Sequence, residues 1–401
     1  MPRYHPGATH AIMHLSDRIQ RVSTSATMAM TQAARDMRER GESVIALSVG
    51  QPDFAPPEHI LDAADRAMRD GHTGYTAADG IRALKQAVAD KFARDNGLSY
   101  SLEQISVGPG GKAVIWNALA VTVGPGDEVI VPTPCWVSYP DMVRLTGAEP
   151  VLLPGGADFK ITPETLRGAL TPRTRWLMLN SPSNPTGAVY SAIELRGLAE
   201  VLRDHPQVMV LTDDIYEALV YGEARFATMA SAAPDLADRV LTLNGVSKAY
   251  AMTGFRIGYA GGPKWLIDAM RKFIGQTTSC PAAPSQWAAV AALNGPQDFL
   301  DGWRAQYRMR ADAVVTALNA AGLPCDLPDG AFYVFADCRD ALARKAMDSD
   351  AELALAMLRE TGVATVPGSA FQAPGHLRLS YAASLDDLTE ACRRIARFLE
   401  R

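Results

Sequence analysis

The sequence predicts an α/β fold: a large domain built on a mostly parallel sheet covered by helices, with a smaller α+β domain beside it. Two observations carry this. Between Gln104 and Gly262, short β-rich runs alternate with amphipathic helical patterns, which implies a sheet covered on both faces. Past Pro296 the alternation stops, and one long helical pattern leads into short strands with helices between and after them.

Taken in order, residues 1–15 are rich in His, Pro and Gly and read as a loose extension. "TMAMTQAARDMRERG" predicts a helix with Thr27 near its start and Gly41 at its end. "VIALSVGQPDFAPP" is a short strand leaving into a Pro-rich loop. "PEHILDAADRAMRDG" and "GIRALKQAVADKFARDNG" are helices closed by Gly71 and Gly97. The strands "QISVG", "DEVIVP", "EPVLLP" and "RWLMLN" then precede the helices "GKAVIWNALAVTV", "SYPDMVRLTG", "TPETLRGAL" and "YSAIELRGLAEVLRDH". "VMVLTDD", "VLTLN" and "RIGYAGG" follow. The long helix is "QDFLDGWRAQYRMRADAVVTALNAAG", and the later strands are "GAFYVFA", "VATVPG" and "HLRLSY". The expected division is an extension over 1–15, part of the smaller domain over 16–48, the large domain over 49–295 and the rest of the smaller domain over 296–401.

Composition narrows the function classes. The chain has 401 residues, 48% hydrophobic and 21% charged, which suits a soluble globular protein with a large core. A net charge of -5, with Lys and Arg dispersed, argues against nucleic acid or an anionic membrane as partner. The five cysteines form no CxxC pair, so a reducing cytoplasm is expected and a zinc site is not. "MPRYHPGATHAIMHL" lacks the apolar segment of a secretory signal, and no stretch approaches the length of a membrane span.

In open α/β sheets, ligands sit at the carboxyl ends of the strands, and these ends are distinctive here. After "QISV" comes "GPGGKA", whose backbone N–H groups could hold a phosphate at a helix start. It is not a P-loop, because Ala113 follows Gly111-Lys112 where Ser or Thr should stand. Trp136 follows "DEVIVP". Asn184-Pro185 with Gly187 forms a rigid turn after "RWLMLN". Asp213 and Asp214 follow "VMVLT", and in extended backbone only one of them faces a cleft. Lys248 follows "VLTLN", with Arg256 eight residues on and glycines around both. A lysine beside a cofactor, with an arginine on its anionic group, accounts for that company. Singly, each feature has an ordinary reading as a tight turn, a core Trp or a surface charge. Five in series at strand ends are hard to assign to chance.

"NPTG", "DDIY", "SKAYAMTGFRIGY" and "HLRLSY", in that order, resemble the fold-type I pyridoxal phosphate enzymes, and among them the class I aminotransferases. The resemblance runs from about Ser16 onward. "SVGQPDF", "GYTAADG", "VGPGGKA", "WVSYP" and "VPGSAF" are similar to the bacterial I-gamma aspartate aminotransferases, a group that includes prephenate aminotransferases.

The resemblance implies pyridoxal 5'-phosphate as cofactor, carried as a Schiff base on Lys248. It implies an amino group moved between an L-amino acid, aspartate or glutamate and potentially an aromatic one, and a 2-oxo acid in a ping-pong cycle. Asp213 would meet the pyridine nitrogen, and D-x-x-Y from Asp213 places Tyr216, with Asn184, at the ring oxygen. Trp136 would stack on the ring. Gly110, Gly111, Lys112, Ser247 and Arg256 would hold the phosphate, joined by Tyr75 from a second subunit, so a homodimer is implied. Gly245 stands where many relatives have Ser. Arg378 and Gly50 would bind the substrate carboxylate. Lys112, with Ser25 and Thr27, would meet a distal one, although the relatives' preceding Lys-Pro is Ser23-Thr24 here. Relatives also imply cis peptides at Thr133-Pro134 and Asn184-Pro185. Other reactions on the same cofactor, C–S β-elimination or decarboxylation, remain alternatives. A cofactor-sensing regulator would need a DNA-binding segment ahead of the fold, for which little chain is available.

Overall fold

The structure, a computed structural model, describes residues 15–22 and 26–400. Its strands are β1 (Ile45–Ala46), β2 (Ile105–Gly108), β3 (Glu128–Thr133), β4 (Glu149–Pro154), β5 (Thr174–Asn180), β6 (Met209–Asp213), β7 (Val240–Gly245), β8 (Gly258–Gly261), β9 (Tyr333–Asp337), β10 (Val363–Ala364), β11 (Val366–Pro367) and β12 (His376–Ser380).

Seven of these form one sheet in the order β2-β8-β7-β6-β5-β3-β4. Only β8 runs antiparallel to its neighbours; the other pairs are parallel. Every residue of β7 is buried, as expected of a strand covered on both faces. One apolar core lies on each face of the sheet. Phe92, Leu198 and Tyr259 belong to one, and Trp176, Leu119 and Ile267 to the other.

The covering helices start and stop where the chain's chemistry directs. Ser191 caps Ala192–Arg203, accepting from the Glu194 N–H, while the Glu194 side chain returns the bond to Ser191 N. Gly97 closes Arg82–Asn96 at φ 66, in the left-handed region. Helices Lys264–Thr277 and Ala283–Asn294 lie between the last strand of the large sheet and Pro296.

A separate core gathers both ends of the chain. Met30, Met37 and Leu47 pack with Leu353, Phe398 and Leu399. β1 pairs in parallel with β10, while β12 runs antiparallel between β11 and β9. The stretch "VATVPG" is therefore not one strand. It splits at Thr365, one half joining β1 and the other β12, because two sheets meet there.

One backbone expectation is corrected. Thr133-Pro134 is cis, but the second cis bond is Ser181-Pro182, not Asn184-Pro185. Cis and trans differ little for any X–Pro bond, so the surroundings decide between the two prolines of "SPSNPTG". Ser181 N donates to the Asp213 carbonyl (3.3 Å), and Asn184 N donates to Asn180 Oδ1 (2.9 Å). The turn itself lies over 184–186 as expected, closed by Gly187 N donating to the Ser183 carbonyl (2.9 Å); only the cis bond sits three residues earlier.

All five cysteines are unpaired. Among the described residues, no helix is long and apolar enough to cross a membrane.

Candidate active site

The carboxyl ends of β5, β6 and β7 open into a cavity of about 420 Å³, shared with the loop after β1 and with β9 and β12. Gly50, Gly111, Lys112, Trp136, Asn184, Asp213, Tyr216, Ser247, Lys248, Arg256 and Arg378 all line it. Residues up to 330 positions apart in the chain are in contact here: Arg378 Nη2 donates to the Ser48 carbonyl (2.5 Å).

Asp213 ends β6 and is buried; Asp214, the next residue, is buried outside the cavity. Tyr139 Oη donates to Asp213 Oδ2 (2.6 Å), and Ile215 N donates to Oδ1 (3.3 Å). Burial pushes the Asp213 carboxyl up to about 6, against the pull of the Tyr139 and Ile215 hydrogen bonds and of Lys248. Lys248 Nζ donates to the Gly50 carbonyl. Burial, then the charges of Arg378 and Arg256, lower the Lys248 amine to about 8, while Asp213 opposes the shift.

At one end of the cavity, Gly110 precedes the helix Gly111–Thr122 with φ 89. A Cβ there would lie 2.2 Å from Arg256 Nη2. Arg256 is itself left-handed at φ 56, and its Nη1 donates to the Thr253 carbonyl (2.9 Å). Among the described residues Arg256 has no carboxylate partner within ion-pair distance. A helix N-terminus, the Ser247 hydroxyl and an unpaired guanidinium together suit a phosphate. A Cβ on Gly245 would come within 3.0 Å of the Ile257 carbonyl, so a larger side chain in place of Gly245 would crowd this corner.

At the other end, Arg378 is buried. Nη1 donates to Asn184 Oδ1 (3.1 Å), and Nε has no partner. The guanidinium lies over Tyr333 (4.6 Å to the ring centroid) and Phe371 (5.0 Å), and burial lowers its pKa. The hydroxyls of Tyr216 and Tyr333 share a hydrogen bond of 2.8 Å. At the mouth, Lys112 is exposed and its Nζ sits 4.8 Å from the Trp136 ring centroid. Although the side chain as a whole is exposed, partial desolvation of its amine, then the charge of Arg256, lowers its pKa.

Gly110 does not line the cavity but abuts Arg256 behind it. Tyr75 lies away from it, 94% exposed. Ser25 and the side chain of Thr27 lie outside the described residues, although Met28, one residue on, lines the mouth. Sequence reasoning missed three groups. Tyr139 stands one helical turn after Trp136, Tyr333 lies in "GAFYVFA", and Asn180 is the last residue of "RWLMLN", where its amide holds the Asp213 carbonyl (2.8 Å). The strand-end rule could have found Asn180. Tyr139 lies inside "WVSYP", where the resemblance gave a role to Trp136 alone, and Tyr333 carries no signal beyond residue type.

The donor set fits pyridoxal phosphate: an anion corner, a buried acid for a ring nitrogen, and an amine between them. Fold and cavity together define the class as a fold-type I pyridoxal-phosphate enzyme. The chain belongs to the class I and II aminotransferases, whose family model matches residues 42–395, and it is a pyridoxal-phosphate-dependent aminotransferase. It is 50% identical to the aspartate/prephenate aminotransferase of Cereibacter sphaeroides, covering 96% of this chain and 98% of that one. The crystal structure of the Rhizobium meliloti aspartate aminotransferase superposes with a TM-score of 0.93 at 48% identity, covering 97% of this chain and 99% of that one. The Thermus thermophilus aspartate aminotransferase with maleate gives 0.91 at 42% identity, over 96% and 100% of the two chains.

Proposed function

We propose that the chain transfers an amino group between a dicarboxylic L-amino acid, aspartate or glutamate, and a 2-oxo acid. The observation that carries this reading is the buried Arg378 guanidinium, its Nε unpartnered, in one cavity with Lys248 and Asp213. A buried cation without an anion is costly. An α-carboxylate would relieve that cost with a bidentate pair, closed over by the Gly50 backbone. The exposed Lys112 at the mouth suits a distal carboxylate, with Ser25 and Thr27 as further polar contacts. The substrate named for the Cereibacter relative and the maleate, a dicarboxylate, with the Thermus enzyme support this choice.

When bound, the cofactor supplies a sink for the electron pair left at the substrate Cα. Lys248 is its covalent attachment point. Freed by substrate, the neutral Lys248 amine would be the base that takes and returns the substrate Cα proton. Asp213 would hold the ring-nitrogen proton, Asn184 and Tyr216 would bond the ring oxygen, and Trp136 would cover the ring face. Gly110, Gly111 and Lys112 through their backbone, with Ser247 and Arg256, would bind the phosphate. Tyr75 completes that site from the second subunit of a homodimer, a reading supported by its exposure of 94% in the single chain. Five unpaired cysteines support a cytoplasmic protein. Separate cores support a large domain over 49–295 and a smaller one from 16–48 with 296–401.

The test is a half-reaction. The cofactor-loaded chain, mixed with aspartate and no acceptor, should release oxaloacetate stoichiometrically and retain the amino group on the cofactor. With cysteine in place of aspartate, release of pyruvate, ammonia and sulfide would replace transamination by elimination; with aspartate, release of carbon dioxide with the amino group kept on the product would replace it by decarboxylation. Borohydride reduction and peptide mapping should label Lys248; a label on Lys112 or Lys264 would overturn its role.

A further inference from the structure

Tyr139 lines the site, and although it belongs to "WVSYP", the resemblance gave it no part. Its ring is 2% exposed. Its Oη lies 2.6 Å from Asp213 Oδ2, and its ring meets Trp136 edge-on, with centroids 5.3 Å apart and planes at 88°. The helix Ser138–Thr146 that carries it begins directly after the Trp136 turn. The contact with the Asp213 carboxyl is therefore set by packing and by a helix, not by a mobile loop.

A carboxyl in so buried a place resists ionisation. Facing it are Lys248 from the loop after β7, the Ile215 N–H and Tyr139, while Asp214 and Tyr216 lie on its own segment. Of these only Tyr139 offers a side-chain hydrogen bond to the carboxylate. Lys248 acts through space and offers the carboxylate no hydrogen bond. Asp214 and Tyr216 bring no positive charge.

We infer that Tyr139 is a positioning residue that keeps Asp213 anionic and aims its remaining lone pairs into the cavity, so that the carboxylate can hold a ring N–H. This rests on the role proposed above for Asp213. A phenol suits the task. It is a strong neutral donor, it adds no positive charge to compete with the ring nitrogen, and its own proton is retained because burial raises the Tyr139 pKa. Removing the hydroxyl leaves Asp213 with one backbone donor, so the acid form gains and the carboxylate protonates at a higher pH.

The test is equilibrium binding of pyridoxal phosphate to the cofactor-free full-length chain, followed by absorbance from acid to neutral pH. The proteins are the parent, Tyr139→Phe, Asp213→Asn and the double variant. Phe keeps the ring contact with Trp136. Tyr139→Phe should weaken binding about tenfold and move the acid-side loss of binding upward by roughly one to two pH units. Asp213→Asn should weaken it at least as much and abolish the acid-side loss. Tyr139→Phe should then add nothing on top of Asp213→Asn, because the charge it protects is gone. An equal further loss in the double variant would show that Tyr139 acts by packing alone and would overturn the inference, as would an unshifted acid limb in Tyr139→Phe. If Asp213→Asn bound cofactor like the parent, the role of Asp213 itself would fall, and this inference with it.

Discussion

Lys248 shows how burial makes an ordinary side chain reactive. With its amine lowered to about 8, the neutral, nucleophilic form is accessible near neutrality. Capture of pyridoxal phosphate by the cofactor-free chain should therefore accelerate as pH rises and level off near 8. Stopped-flow absorbance checks this; a rate still climbing through the usual lysine range would show an amine with an ordinary pKa. Folded Lys248 releases its proton before unfolded Lys248 does, so it destabilises the fold below about pH 8, and that cost fades as pH rises toward the unfolded value. Lys112 sits instead at the mouth, exposed beside Trp136. A charge-assisted contact to a distal carboxylate is worth roughly 1.5–3 kcal/mol. Lys112→Ala should lower kcat/KM for aspartate about ten- to a hundredfold and leave phenylalanine nearly unchanged. Equal losses for both donors would assign Lys112 to the cofactor or the fold.

Among the elements, β8 and the start of Gly111–Thr122 are pressed together at the anion corner. A Cβ on Gly258 would lie 2.2 Å from Gly111 N and 2.5 Å from Gly110 C, both backbone atoms. Gly258→Ala must therefore push the helix start away from β8. Gly110→Ala meets the mobile end of Arg256 but also a φ of 89, a strain of about 1–3 kcal/mol. Both should lower the unfolding free energy and weaken cofactor binding, measured by urea titration and absorbance. Gly168, inside the helix Pro163–Ala169, has nothing within 4 Å of a Cβ. Gly168→Ala should be neutral or stabilising by up to about 1 kcal/mol, and a loss like that of Gly258→Ala would show that glycine substitution, not the close approach, is responsible.

At the scale of the molecule, the cavity draws on both cores. Arg378 comes from β12, Lys248 from the loop after β7, and Gly50 from the segment between β1 and the first helix of the large sheet. Asp53 in that segment pairs with the buried Arg310 of the long helix Phe299–Ala320 (2.8 Å). The position of the Gly50 carbonyl thus depends on both halves. If Tyr75 reaches a neighbouring phosphate site, the active species is a dimer with two-fold symmetry. Light scattering at assay concentration should give a dimer, and Tyr75→Ala should weaken cofactor retention without dissociating it. An active monomer would refute the shared site.

The alternation of β-rich runs with helical patterns sufficed for the large sheet, because period and turn chemistry are local properties of the chain. Strand ends are local too, so Asn184, Asp213 and Lys248 were legible as residues that face a common cleft. The two-residue alternation of a strand left one of Asp213 and Asp214 to face the cleft, and the D-x-x-Y pattern of the resemblance chose Asp213. Tertiary structure alone decided the rest. It seats Tyr139 on Asp213 and Tyr333 on Tyr216, contacts 74 and 117 residues apart in sequence. It divides "VATVPG" between two sheets and places the second cis bond at Ser181-Pro182. It also leaves Arg378 buried with one nitrogen unpartnered. The reason is common to all of these: each depends on which distant groups desolvate one another, and no short stretch of sequence holds both partners.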